Sequence, residues 1–162
     1  MRWLVLFVLV SLPARIAVAQ DLAPKAPAVQ YVTVESSTST ATAAPGAALL
    51  LWADVTPKRN IHVYAPGAKD VAPVSLVTTP NTRVTFGAAQ IPRGRLMTTI
   101  GTPEPTPVFV ERFRVVQPVT IARSVPSGST VTVSAALNYQ ACDDRLCYPA
   151  STVPVVWTIS VK

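Results

Sequence analysis

The sequence predicts an all-β sandwich, immunoglobulin-like in topology. Apolar and polar residues alternate over runs of five to nine residues, the period of a half-buried strand. Turn signals recur about every dozen residues between those runs, as a sandwich of short strands requires. Sixteen prolines are spread along the 162 residues, and no stretch of ten shows a convincing helical apolar period. Long helices are excluded on that ground.

The first residues are set aside from the fold. Met1-Arg2 is a short basic start, Trp3 to Val10 is an unbroken apolar run, and Ala17-Val18-Ala19 is a small-x-small cleavage pattern. Together they predict a signal peptide over residues 1–19 and a mature chain from Gln20. Eight apolar residues are too few to span a hydrocarbon core of about 30 Å. No later segment is longer and apolar enough, so the mature protein is expected to be exported, soluble and not membrane-spanning. Residues 20–28, with Pro24 and Pro27, read as an extended leader. The remaining residues, 29–162, suffice for one domain with a single core.

Within that domain, Val29 to Val34 is a first strand and Ser36 to Pro45 a loose Ser/Thr/Ala-rich loop. Ala47 to Val55 is apolar almost throughout, as expected of a central strand covered on both faces. Ile61 to Tyr64 follows a Pro57-Lys58-Arg59-Asn60 turn and stops at Pro66-Gly67. Pro73 to Thr78 and Arg83 to Phe86 are short strands, and Gln90 to Pro107 is irregular. Val108 to Val115 alternates as one strand, with Pro118 to Ile121 as a short edge element. Thr130 to Leu137 and Thr152 to Val161 form a hairpin. Trp52 and Trp157 lie on predicted strands and are expected in the core.

The formal charge is +6, from 14 basic and 8 acidic residues, and two of the basic ones, Arg2 and Arg15, leave with the signal peptide. The rest are scattered. Nucleic-acid binding would call for a concentrated basic patch on a recognisable module, and neither is present.

The stretch Asn138-Tyr139-Gln140-Ala141-Cys142-Asp143-Asp144-Arg145-Leu146-Cys147-Tyr148-Pro149 carries the chain's two cysteines. The hairpin would hold both sulfurs at its tip. In an oxidising compartment such a pair forms a disulfide, and an even count leaves no unpaired thiol. A structural bond closing so short a loop would contribute about 2 kcal/mol of chain entropy. The alternative is reversible dithiol–disulfide exchange with a partner, which needs one accessible sulfur and a second to resolve the mixed disulfide. Asp143 and Asp144 disfavour a thiolate at Cys142 and Arg145 opposes them, but Asp-Asp-Arg is also ordinary turn chemistry. Spacing and export leave the two readings even. A third, Cu(I) held by both thiolates with His62 or Met97, is poorly supported by one histidine and two methionines, so neither a metal nor a cofactor is expected.

The same stretch resembles the redox motif of the periplasmic N-terminal domain of the thiol:disulfide interchange protein DsbD, where a Tyr-Gln-small-Cys segment is followed by Cys-Tyr/Leu-Pro. Asn60-Ile61-His62-Val63-Tyr64-Ala65-Pro66-Gly67 resembles that family's early strand, and Val108 through Ile121 its strand pair before the cysteine hairpin. The resemblance implies an immunoglobulin-like, periplasmic thiol–disulfide oxidoreductase component acting as a protein-disulfide reductase. It would take electrons from a membrane-embedded or thioredoxin-like donor and pass them to oxidised periplasmic client proteins. By that analogy Cys142 and Cys147 are the exchanging pair, Cys142 forming the mixed disulfide and Cys147 resolving it. His62 and Tyr64, two apart on one strand face, would lie near the sulfurs, with Tyr139, Tyr148, Asp143 and Asp144 lining the site. Three departures stand out. The best-known members have one more residue between the cysteines. Their sulfurs lie under a cap loop bearing an aromatic, whereas Thr99 to Pro105 here holds Ile100 and no aromatic. The chain also ends soon after the hairpin, so the expected electron donor is another polypeptide.

Overall fold

In the computed structural model, residues 29–100 and 104–162 are described; the predicted signal peptide and leader lie outside them. Every regular element among the described residues is a strand: β1 (Val32–Thr38), β2 (Thr42–Ala43), β3 (Ala48–Pro57), β4 (His62–Tyr64), β5 (Ser75–Thr78), β6 (Val84–Phe86), β7 (Arg95–Met97), β8 (Thr106–Phe109), β9 (Phe113–Ile121), β10 (Thr130–Tyr139), β11 (Ala141–Cys142) and β12 (Ser151–Val161). They form three four-stranded sheets, ordered β1-β3-β9-β6, β2-β12-β10-β5 and β11-β4-β8-β7. The first two pack face to face as an immunoglobulin-like sandwich, and the third closes one end.

Period-two alternation builds the sandwich core. Val115, Val119 and Ile121 of β9, Val131, Val133 and Leu137 of β10, and Trp157, Ile159 and Val161 of β12 all point inward and are buried. Each large aliphatic side chain so buried stabilises the fold by roughly 1.5–3 kcal/mol. Trp157 also links the two sheets, its Nε1 donating to the Trp52 carbonyl at 2.8 Å. Trp157 is therefore the core residue its strand predicts. Trp52 is half-buried on the outer face instead, under the Arg114 guanidinium 4.4 Å from its ring. Arg114 is held there by a two-pronged bond to Asp54, at 2.9 and 2.8 Å.

Several predicted elements differ. β1 begins at Val32, and it continues to Thr38 where a loop was expected. β2 then adds to β12 in parallel. β3 is central, but its first half alternates, with Leu50 exposed and Leu49 and Leu51 buried. The run Val108 to Val115 is two strands in different sheets, because the chain turns a corner closed by the stacked rings of Phe109 and Phe113, 3.8 Å apart. Alternation is blind to such a corner, since both arms keep period two.

Pro118 to Ile121 is likewise no edge; it continues β9, which lies between β3 and β6. Proline is tolerated because its missing N–H would face the side where β6 has just ended. There the Pro118 carbonyl accepts from the Gly87 N–H at 2.9 Å. The Gly87 carbonyl, left without a ladder donor, accepts instead from the buried Gln117 side-chain amide at 2.7 Å. The β10–β12 hairpin forms as expected, in register from Thr130↔Ser160 to Tyr139↔Ser151. Beyond Tyr139 the chain leaves that sheet, and the short β11 pairs with β4. Within the connection from β10 to β12, Cys142 thus belongs to the third sheet, and Cys147 meets it in an isolated bridge.

Candidate functional site

Two unusual backbone conformations bracket β4: Asn60 at φ 61° and Gly67 at φ 95°. Both residue types accept the left-handed region at low cost, so the strand between them is short and sharply bounded. All three residues of β4 are buried. Antiparallel pairing sets His62 directly opposite Cys142. Residues opposite or two apart share a face, so His62, Tyr64 and Cys142 converge on one side of the third sheet. Val108 is buried with Tyr64 and Cys142, and Met97 and Val110 pack against them.

Cys142 and Cys147 are joined by a disulfide across a tight turn, with Cα atoms 4.0 Å apart. The two ends of the bond differ in exposure. Cys142 has none of its surface exposed, whereas Cys147 is exposed. The Tyr64 hydroxyl lies 3.4 Å from each sulfur. Disulfide sulfurs carry no proton, so the tyrosine is the donor. The Ile100 carbonyl stands 4.0 Å from Cys147 Sγ, which brings the expected cap region alongside the exposed sulfur. Residues 101–103 of that region lie outside the described residues.

Asp143 shapes the turn. Its Oδ1 accepts from the backbone N–H groups of Arg145 and Leu146 at 2.7 and 2.9 Å. Its Oδ2 accepts from the Tyr148 hydroxyl at 2.7 Å. That hydroxyl, with the two N–H groups behind it, holds the Asp143 carboxyl below its ordinary value, and the carboxylate in turn raises the Tyr148 phenol. The Tyr148 ring stacks on Tyr31, with centroids 4.0 Å apart. Asp143 and Tyr148 therefore clamp the turn that presents the sulfurs. Asp144 sits exposed at its crest.

His62 is buried at 4% exposure, and its Nε2 has no hydrogen-bond partner among the described residues. Its ring meets Tyr64 edge-on, with centroids 5.9 Å apart. Burial pushes the imidazole below its ordinary value, and the carboxylates of Asp144 and Asp143 pull weakly the other way.

Tyr139 is not part of this constellation. Its hydroxyl accepts from the Tyr31 N–H at 3.0 Å and donates to Gln30 at 3.1 Å, inside the sandwich core. Met97 approaches the cluster, while its sulfur accepts from Arg95 at 3.7 Å. Two contributors escaped the sequence reading. Tyr31 lies more than a hundred residues from its stacking partner, and no local pattern marks it. Gln140 ties the motif to the loop after β4, accepting from the Ala72 N–H at 3.0 Å and donating to the Tyr148 carbonyl at 3.2 Å. Its place inside the Tyr-Gln-Ala-Cys stretch was the available clue.

The family model "Thiol:disulfide interchange protein DsbD, N-terminal" matches residues 28–156. Among solved structures, the N-terminal domain of DsbD from Neisseria meningitidis, in its reduced form, is similar at 14% identity and a TM-score of 0.49, over 80% of this chain and 91% of that one. No match is found among the curated proteins. With its cysteine pair joined inside the matched stretch, this chain belongs to the family of DsbD N-terminal domains.

Proposed function

We propose that the protein exchanges dithiols and disulfides with partner proteins in the periplasm, through Cys142 and Cys147. Its donor is a thioredoxin-like or membrane electron-transfer protein, and its clients are oxidised periplasmic proteins. The observation that carries this reading is the asymmetry of the bond: one sulfur is buried beneath a tyrosine hydroxyl and the other is exposed. A staple has no use for that asymmetry. The turn is also already held by three hydrogen bonds to Asp143.

The burial of Cys142 supports the opposite order to the one the resemblance implies. A partner thiolate can reach Cys147, so it attacks that sulfur and Cys142 departs as the thiolate. The Tyr64 hydroxyl stabilises the departing sulfur with a hydrogen bond. The partner's second thiolate then attacks its own sulfur in the mixed disulfide and releases Cys147. Passing electrons on runs the same steps backwards: Cys147 attacks a client disulfide and Cys142 resolves the intermediate.

Single-cysteine variants test this order. The reduced Cys142→Ser variant should be trapped as a stable mixed disulfide by a thioredoxin-like protein that lacks its own resolving cysteine and carries a good leaving group on the remaining one, and Cys147→Ser should form none. Equal trapping by both variants would overturn the order. A couple below about −300 mV with slow exchange in thiol buffers would overturn the function itself and mark a structural bond.

A further inference from the structure

The exchange chemistry leaves His62 unused, yet no other residue of the chain can act as a histidine base: it is the only one. It faces Cys142 in strand register. Side chains so opposed start from Cβ atoms roughly 4.5–5.5 Å apart, which makes the imidazole and Cys142 Sγ neighbours on one face of the sheet. Its Nε2 is buried without a partner among the described residues, a costly arrangement unless another state of the protein supplies one.

Resting on the exchange reading, we infer that His62 is the proton acceptor of the redox couple: it is neutral beside the disulfide, and on reduction it takes a proton at Nε2 and pairs as imidazolium with the Cys142 thiolate. The balance closes. The partner dithiol gives up two electrons and two protons and becomes a disulfide. The electrons break the Cys142–Cys147 bond. One proton ends on Cys147 Sγ and the other on His62.

The surroundings favour this division. Of the groups facing His62, Tyr64 on its own strand meets the ring edge-on and directs its hydroxyl at the two sulfurs. The turn brings the carboxylates of Asp143 and Asp144, with Arg145 beyond them. Val108 of β8 and Met97 of β7 join the apolar cluster around Tyr64 and Cys142, with Val110 just beyond β8. A lone buried thiolate next to two carboxylates is disfavoured, whereas an imidazolium there is favoured by both. Burial lowers the ring's proton affinity in the oxidised protein, and a facing thiolate opposes that.

The test is an NMR pH titration of the imidazole in purified mature protein, oxidised and then reduced with a phosphine. With a single histidine the signal is unambiguous. The midpoint should rise by about one unit or more on reduction, a tenfold gain in proton affinity. Cys147→Ser, which forms no disulfide, should titrate at the raised midpoint of the reduced protein, and Cys142→Ser at the midpoint of the oxidised one. In glutathione buffers, His62→Gln should favour the disulfide over the dithiol by roughly tenfold more than wild type. Equal midpoints in the two redox states would overturn the proposal, as would a raised midpoint in Cys142→Ser. Phosphine reduction needs no partner protein, so a raised midpoint in a disulfide inert to thioredoxin-like donors would uphold the proton link while removing the exchange reading.

Discussion

At His62, burial acts on folding. The imidazole is pushed below its ordinary value of 6.5 by desolvation, so between the folded value and 6.5 the unfolded chain binds more protons than the folded one. Stability of the oxidised protein therefore falls as pH drops below about 6.5. Asp54, lowered chiefly by its bond to Arg114, and Asp143, lowered chiefly by Tyr148, act in a separate window. Each contributes stability that is complete above its ordinary 3.8 and is lost as pH falls through the lowered value. The denaturant midpoint should decline in two stages on acidification, and His62→Gln should lack the upper one. A wild-type midpoint that stays flat from pH 7 to pH 5 would refute it. Among single residues, both cysteines, Tyr64 and Tyr148 were legible from a motif and a two-residue spacing. Tyr139 was not, because it and Ala141 share the alternation while the chain passes from one sheet to another between them.

The third sheet holds the buried end of the disulfide, and it was the least legible part of the fold. Its strands have two, three, four and three residues, drawn from separate stretches of the chain. Runs that short show no periodicity, and the proline-rich approach to β8 disguises two of them. The sandwich strands, nine to eleven residues long in β9, β10 and β12, were visible because alternation had length to declare itself. Gly94 is a sensitive point in the third sheet. A Cβ there would lie 2.5 Å from Ala65 Cβ and 2.8 Å from both the N and the O of Val108. Backbone cannot swing aside as a side-chain tip can, so Gly94→Ala should destabilise the domain by about 2 kcal/mol in denaturant unfolding. Because Val108 packs with Tyr64 and Cys142, the same variant should also alter the alkylation rate of reduced Cys147. Wild-type stability and reactivity in this variant would show that β8 is free to move.

Across the molecule, the redox centre and the hydrophobic core are largely separate. Cys142 clusters with Tyr64 and Val108, apart from the main core of the two large sheets. The disulfide closes a loop between positions five apart, for which chain entropy supplies about 2 kcal/mol. Replacing both cysteines by serine should therefore lower the thermal midpoint moderately and leave a single cooperative transition with an unchanged denaturant slope. Loss of cooperativity would mean that the bond supports the sandwich. That independence lets one fold exist in two oxidation states.

The short spacing of the cysteines also bears on how the chain reaches its native state. Two thiols allow one intramolecular pairing, and these lie five positions apart, joined across a turn. Oxidation can precede folding without fixing any long-range topology, and no mispaired isomer exists to be reshuffled. A chain that meets an oxidant early closes only the turn that Asp143 would form anyway, and the sheets then assemble around it as they would around the dithiol.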